Sequence, residues 1–420
     1  LGDFHFPFSA GSLIICTPDR ESRMIQVAYA RHFEAARVVR LCAGQIDAPQ
    51  PRLVLAFCGG KHAPDEVLAQ LRSAWPDTPV VGGSAAGAIG YDGFGYSGLE
   101  LIVAAFNDPD ITPRALIETG LDNGDFAAGE RLGRQVAAAA RPGATVLLLF
   151  DSVAVPGQFQ LHHASSIVEG FEAGLQGLPV QLIGGGLLTD MNLSDGWLFD
   201  GAQVRKHAAA ALVFPSTVAA STVVLHGCRP VSTFMEITRI DGAEVFELDH
   251  EPALTVIERM LGTTLGGGEG HDLSLLATLG QKHGDPFAPY NEDDYVNRLI
   301  LTSNRAQGSI TLFEPDFRAG AKVQIMSRDN SLMLQSVRDG VARANAGIDP
   351  ATALLNIYID CAGRASARSG AHLEEAELVV KNLNRSVPLI GFYSGVEIAP
   401  FEGYSRPLDW TGVLATLRRN

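Results

Sequence analysis

Two short stretches near the carboxyl end hold residues whose types and spacing suit ligand chemistry. In one, Asp360-Cys361 is followed by Arg364; in the other, Tyr393 and Gly395 precede Glu397. An arginine grips a carboxylate through two parallel hydrogen bonds, and an aspartate or glutamate takes an ammonium group. Asp360, Arg364, Tyr393 and Glu397 together suit a polar or zwitterionic small molecule, with Arg364 as its anchor. Cys361 adds a thiol, which attacks carbonyls only where its surroundings favour the thiolate. The competing reading is an internal ion pair among the same side chains that fixes the strand ends.

The surrounding pattern explains why these residues would meet. Residues 353–361 read as an apolar strand, 374–384 as a helix, and 388–400 as a second strand with a glycine turn. Strand, helix and strand make a parallel β-α-β unit, and ligands of such sheets bind outside the carboxyl ends of the strands. The pattern recurs twice upstream. Leu53–Gly60 leads to a helix over 65–75 and then Pro79–Gly87; Val146–Ser152 leads to a helix over 164–175 and then Pro179–Gly186. Each second strand starts at proline and reaches glycine, and each copy is followed by another apolar run: 99–106, 208–214 and 413–417. Three diverged β-α-β-β copies are inferred, at 53–83, 146–185 and 354–391. The glycines Gly82, Gly83, Gly184 and Gly185 mark close packing or a ligand approaching the backbone. The run at 82–90 lacks the Lys-Ser/Thr ending of a P-loop and the spacing of a dinucleotide fingerprint.

Elsewhere, residues 12–16 read as a strand, 22–42 as a helix, 91–98 as an exposed loop and 262–290 as a loop; alternating strands follow residue 221. The predicted class is a two-domain α/β protein whose repeated β-α-β-β units form mixed sheets flanked by helices. Its parts are a segment 1–20, an amino-terminal domain 21–250 and a carboxy-terminal domain 251–420.

The 420 residues suffice for two or three domains. A net charge of −15 argues against non-specific binding to nucleic acid or anionic membrane. No stretch approaches a membrane span, and no signal peptide is visible, which with five scattered cysteines points to reduced thiols in the cytoplasm. No CxxC suggests zinc. His162 and His163 are adjacent, so on a helix they point about 100° apart and cannot chelate one metal.

The chain resembles FIST proteins (F-box and intracellular signal transduction). The resemblance rests on Glu244–Ala253 at the joint of the halves, on 320–328 and Asp360–Arg364, and on Gly391–Pro400. In the amino-terminal half it rests on Val80–Gly87 and Leu182–Gly186. It implies a bacterial sensory module that binds a small ligand, amino acids among those suggested, and signals through a separate partner such as a histidine kinase. One branch of the family binds haem and reports nitric oxide; here His162, His163, His226 or His250 would be the axial ligand. Departures from that branch stand at Ala88, where it has a glutamate, and at Trp410-Thr411-Gly412, where it ends in Asn-Gln-Thr. An enzyme using Cys361 ranks third.

Overall fold

The computed structural model describes residues 24–158, 160–262 and 277–420. The strand expected at 12–16, the segment 1–20 and part of the expected loop 262–290 lie outside the described residues.

The first unit runs β1 (Ile25–Arg31), α1 (Ala35–Ala43), β2 (Leu53–Gly59), α2 (Pro64–Ala74), β3 (Val80–Ala85), the hairpin β4 (Ala88–Gly90) and β5 (Gly93–Gly95), then β6 (Glu100–Phe106). The second runs β7 (Arg114–Thr119), α3 (Asp125–Ala139), β8 (Ala144–Asp151), the small pair β9 (Val153–Val155) and β10 (Gln160–Leu161), and α4 (Ala164–Leu175). It continues with β11 (Val180–Leu187), the hairpin β12 (Leu198–Gly201) and β13 (Val204–Arg205), and β14 (Ala208–Val213). The third opens with β15 (Val218–Leu225) and is then interrupted.

The interruption holds β16 (Cys228–Pro230), β17 (Met235–Asp241), β18 (Glu244–Leu248), β19 (Glu251–Pro252), α5 (Ala253–Leu261), β20 (Ala277–Lys282), β21 (Tyr295–Asn304), β22 (Ser309–Leu312) and β23 (Lys322–Arg328). Because β20 pairs with both β21 and β23, these strands close into a small barrel. The third unit then resumes with α6 (Asn330–Gly347), β24 (Ala353–Cys361), α7 (Ser366–Ser369), α8 (Glu375–Asn382), β25 (Leu389–Ser394), the hairpin β26 (Glu397–Phe401) and β27 (Tyr404–Leu408), and β28 (Gly412–Arg419).

The three units share one sheet order: β1-β6-β2-β3, β7-β14-β8-β11 and β15-β28-β24-β25. In each, the second and third of the helix-linked strands are parallel. Their apolar runs are continuous because both faces are covered. Phe57, Leu149 and Ile359 point into a core common to all three units, while Ala56, Leu148 and Tyr358 face the helices. Inside the common core Phe57 of the first unit stacks on Phe392 of the third, ring centroids 4.1 Å apart.

Each unit lends its hairpin to a neighbour's sheet. β4 pairs with β25, β12 with β3, and β26 with β11. Equivalent backbone bonds mark each transfer: Ser84 N to Trp197 O (3.0 Å), Gly186 N to Val396 O (2.9 Å) and Tyr393 N to Gly87 O (3.0 Å). Gly82, Gly184 and Gly391 occupy equivalent positions, where a Cβ would run into the carbonyl oxygens of Ala56, Leu148 and Tyr358 respectively.

Three local expectations are corrected. Residues 25–31 are a strand, not the start of a helix, because pairing to β6 along its whole length outweighs a short 3.6-residue pattern. The expected loop 91–98 includes β5, and Tyr91, Phe94 and Tyr96 pack half-buried on the core. Residues 277–282 of the expected loop are the barrel strand β20. Among the described residues no helix is long and apolar enough to cross a membrane.

The barrel is fastened to the third unit by buried charge. Arg298 on β21 is bidentate to Asp316 (2.7 and 2.6 Å) and donates to Pro407 O (3.1 Å), while Leu299 N donates to Asp409 Oδ2 (3.0 Å).

Gly184→Ala should lower the unfolding free energy by about 1–3 kcal/mol, the usual cost of overpacking. Gly347→Ala is the control, since no atom lies within 4 Å of a Cβ there; it should be neutral or stabilising. Denaturant titration of both variants checks this, and equal stabilities would refute the packing role of Gly184.

Candidate functional site

The parallel strands end at three equivalent exits: Gly59-Gly60, Asp151-Ser152 and Cys361-Ala362. The first is shut by backbone, with Gly59 against Gly98 and Gly60 N donating to Thr189 O (3.2 Å). The second is shut by side chains. Ser152 fills the space beside Gly186, and the Asp151 carboxylate takes the N–H groups of Val153 (3.0 Å) and His207 (2.8 Å).

The third exit opens into a cavity of about 110 Å³. Leu188, Met191 and Leu193 enter from the loop after β11; Leu299, Leu301 and Phe313 come from the barrel. Cys361, Ser394, Gly395 and Trp410 supply the remaining wall from the third unit. Trp410 is held at a positive φ of 60°, and the Arg328 guanidinium lies 3.2 Å from its ring centroid. Arg368 on α7 also reaches the wall and donates to Met191 O and to Asn192 Oδ1 (2.8 Å).

The polar residues singled out in the sequence lie behind this cavity, not in it. Asp360, Arg364, Tyr393 and Glu397 are all buried. Arg364 is bidentate to Glu375 on α8 (2.8 and 2.7 Å) and donates to the carbonyls of His226 and Trp410 (3.0 Å to the latter). Asp360 sits 3.7 Å from Arg364, within Coulomb reach but too far for a hydrogen bond, and neither of its oxygens has a partner. Tyr358 donates to Glu375 (2.7 Å), and Tyr393 to Glu374 (2.8 Å). Glu397 accepts from Ser394 (2.5 Å) and Thr411 (3.1 Å). Of the residues named from the sequence at these two exits, Cys361 and Gly395 line the cavity directly.

The FIST N domain matches residues 52–251 and the FIST C domain residues 253–400. The chain belongs to the FIST family. Similar proteins include an uncharacterized protein of Mycobacterium tuberculosis, 26% identical over 270 residues, 64% of this chain and 67% of that protein. Another, from Mycobacterium bovis, is 25% identical over 273 residues, 64% and 66% of the two chains. Among solved structures, a chorismatase (TM-score 0.34) and a cyanuric acid hydrolase from A. caulinodans (TM-score 0.36) are each 8% identical. The first covers 94% of this chain and 98% of its own, the second 95% and 99%. At these TM-scores nothing about chemistry follows for this chain.

In this FIST chain the cavity lies where the two matched regions meet: its Leu188–Leu193 wall belongs to the FIST N region, the others to the FIST C region or the residues just after it. Gly82, Gly83, Gly184 and Gly185 lie in the sheet interior, with neighbouring backbone or side chains filling the space where a Cβ would stand. The four histidines do not converge. His162 has both ring nitrogens engaged, Nδ1 with Asp125 (2.7 Å) and Nε2 with His207 (3.0 Å). His163 precedes α4 as its cap residue, His250 stands on an exposed turn, and His226 borders a different cleft that carries Asp293, Arg343 and Glu402. None of the four lines the cavity at the third exit. Nor, among the described residues, do three or more His, Cys, Asp or Glu side chains gather around a metal position.

The sequence reading missed Glu375, Glu374 and Trp410. Glu375 entered the sequence reading only as part of the helix over 374–384; Tyr358 and Arg364, which bond it, were the available signal. The apolar wall carried no signature at all, because its residues come from four separated segments.

Burial sets the protonation of this cluster. It pushes the Asp360 carboxyl well above its ordinary range, with Glu375 adding to the effect. It raises Glu397 from 4.5 to about 8 against the pull of Ser394 and Thr411. It also raises the Cys361 thiol, which therefore stays protonated rather than nucleophilic. For Arg364, burial works against the charge but the Glu375 carboxylate outweighs it.

Two outcomes follow for this FIST protein. Arg364→Ala should cost about 3–5 kcal/mol in denaturant unfolding by stranding Glu375, and Arg364→Met with Glu375→Gln should recover part of that loss. A full-strength fold in Arg364→Ala would show the pair to be dispensable. The second concerns Glu397. An acid whose folded pKa is raised contributes stability present below its unfolded pKa and lost as pH rises through the folded one. Stability from Glu397 should thus fall between about pH 4.5 and pH 8, and Glu397→Gln should flatten the fall in melting temperature across that window. An unchanged slope would contradict the assignment.

Proposed function

We propose that this FIST protein is a sensory module that binds a small, mostly apolar ligand in the cavity at the third strand exit and passes the event to a separate signalling protein. The observation that carries the reading is the asymmetry of three equivalent exits: two are packed shut and one is open, and the open one faces the barrel. Ligands of open α/β sheets bind at strand carboxyl ends. A ligand here would touch both the repeated body and the barrel, so its binding energy would act on their junction.

The chemistry of the walls sets the class of ligand. Seven of the lining side chains are leucine, methionine, phenylalanine or tryptophan, and the thiol of Cys361 is neutral. An apolar cavity of about 150 Å³ takes up benzene, so this one suits a single ring or a short branched chain. The zwitterion expected from Asp360, Arg364 and Glu397 has no access to those buried groups, Arg364 being engaged by Glu375 and Glu397 by Ser394 and Thr411. A histidine kinase or another signalling enzyme is the partner class that the family resemblance implies.

Phenol should bind the full chain at one site, read by calorimetry and by quenching of Trp410. Leu301→Trp, which fills the cavity from the barrel side, should abolish the binding while the protein keeps its melting temperature. Native mass spectrometry of freshly purified protein should reveal any ligand carried through purification. Phenol binding unaffected by Leu301→Trp would sink the cavity reading.

A further inference from the structure

A second concavity lies on the other side of Arg364. It is a cleft of about 430 Å³ bounded by β15, α6, the turn before β21 and the hairpin β26–β27. Its floor is His226, only 2% exposed, whose ring Nδ1 is buried without a hydrogen-bond partner. A buried ring nitrogen left unbonded costs free energy that a ligand can recover.

The histidine is fixed in place by its backbone. His226 N donates to Ser336 Oγ (3.1 Å), and His226 O accepts from Arg364. Ser336 in turn donates to Glu292 (2.7 Å). These bonds hold the residue at the cleft floor, so a ligand there has little backbone left to order. The ring is also uncharged, because burial first, then Arg364 and Arg343, lower its pKa from 6.5 to about 3.

Three charged side chains rim the cleft. Arg343 on α6 lies 3.4 Å from Asp293 and is offset by it. Glu402, at the tip of the hairpin, faces them as the surplus charge, with His283 Nδ1 3.5 Å away. Phe401 and Pro400 supply an apolar wall between the rim and the floor.

We propose that this cleft binds a small organic cation, an alkyl chain ending in ammonium groups. One ammonium would sit between Asp293 and Glu402, the chain would lie along Phe401 and Pro400, and the inner end would donate to the neutral His226 ring. An anion fits poorly, since Arg343 is already paired and two carboxylates would repel it. The surface as a whole points the same way, with a net charge of −15. The proposal is independent of the apolar cavity, which shares none of these side chains.

Three four-carbon probes test it on the full chain: butane-1,4-diamine, butane-1,4-diol and succinate. At about pH 7.5 both ammonium groups of the diamine are charged. The diamine should bind at one site by calorimetry and move the His226 ring signals in a nitrogen–proton correlation spectrum; the diol and succinate should do neither. Glu402→Gln and Asp293→Asn, both partly exposed and safe for folding, should each weaken the diamine by about tenfold, with melting temperatures unchanged. Succinate binding as well as the diamine, a diamine that leaves His226 unmoved, or an affinity untouched by both variants would each overturn the proposal.

Discussion

A guanidinium buried away from water must be matched group for group, and at Arg364 the third unit is built around that demand. Taking such a charge out of water costs several kcal/mol unless good geometry repays it. Here Glu375 meets it with both carboxylate oxygens, and two backbone carbonyls take another N–H direction. Those four bonds draw α8 onto β24, fix Trp410 in its left-handed conformation and hold the start of the barrel segment at His226. The apolar cavity and the charged cleft are thereby placed on opposite sides of one side chain. Neither could shift far without leaving a buried charge unmatched.

The triplicated sheets were legible in the sequence because strands covered on both faces leave continuous apolar runs, and because the close approach of parallel strands admits no Cβ at Gly82, Gly184 and Gly391. The chemistry was misplaced for a physical reason. Asp360, Arg364 and Glu397 do stand at strand exits, but charged types at an exit read alike whether they meet a ligand or one another. What decides between these is the partner on a distant helix, Glu375, and nothing in its local pattern marks it as buried. The first hairpin was illegible for a different reason: β4 and β5 have three residues each, too few to carry a period. β1 was mistaken for helix because seven residues satisfy either spacing.

Repetition with divergence also explains why one exit differs. Three equivalent strand ends offer three equivalent hollows, and each must be filled or used. Glycine backbones close the first and Ser152 with Asp151 closes the second. Beside the third, the chain between β15 and α6 departs on its long excursion and returns as a barrel, so the hollow there acquires a roof instead of a plug. The Arg298–Asp316 pair and the Asp409 carboxylate keep that roof in register with Trp410.

The exchange of hairpins closes in a ring: the first unit lends to the third, the third to the second, and the second to the first. Such a ring has no free end from which one unit could be lifted. A fragment ending near residue 251 would leave β11 without β26, and β4 would have no β25 to join. Bare sheet edges of this kind pair with whatever strand is nearest, usually another copy of the chain. The two halves recognised by the family are thus a division of the sequence more than of the folded object: the first unit's sheet has all its strands by Arg205, but the ribosome must release nearly the whole polypeptide before the sheets of the second and third units have their final borders.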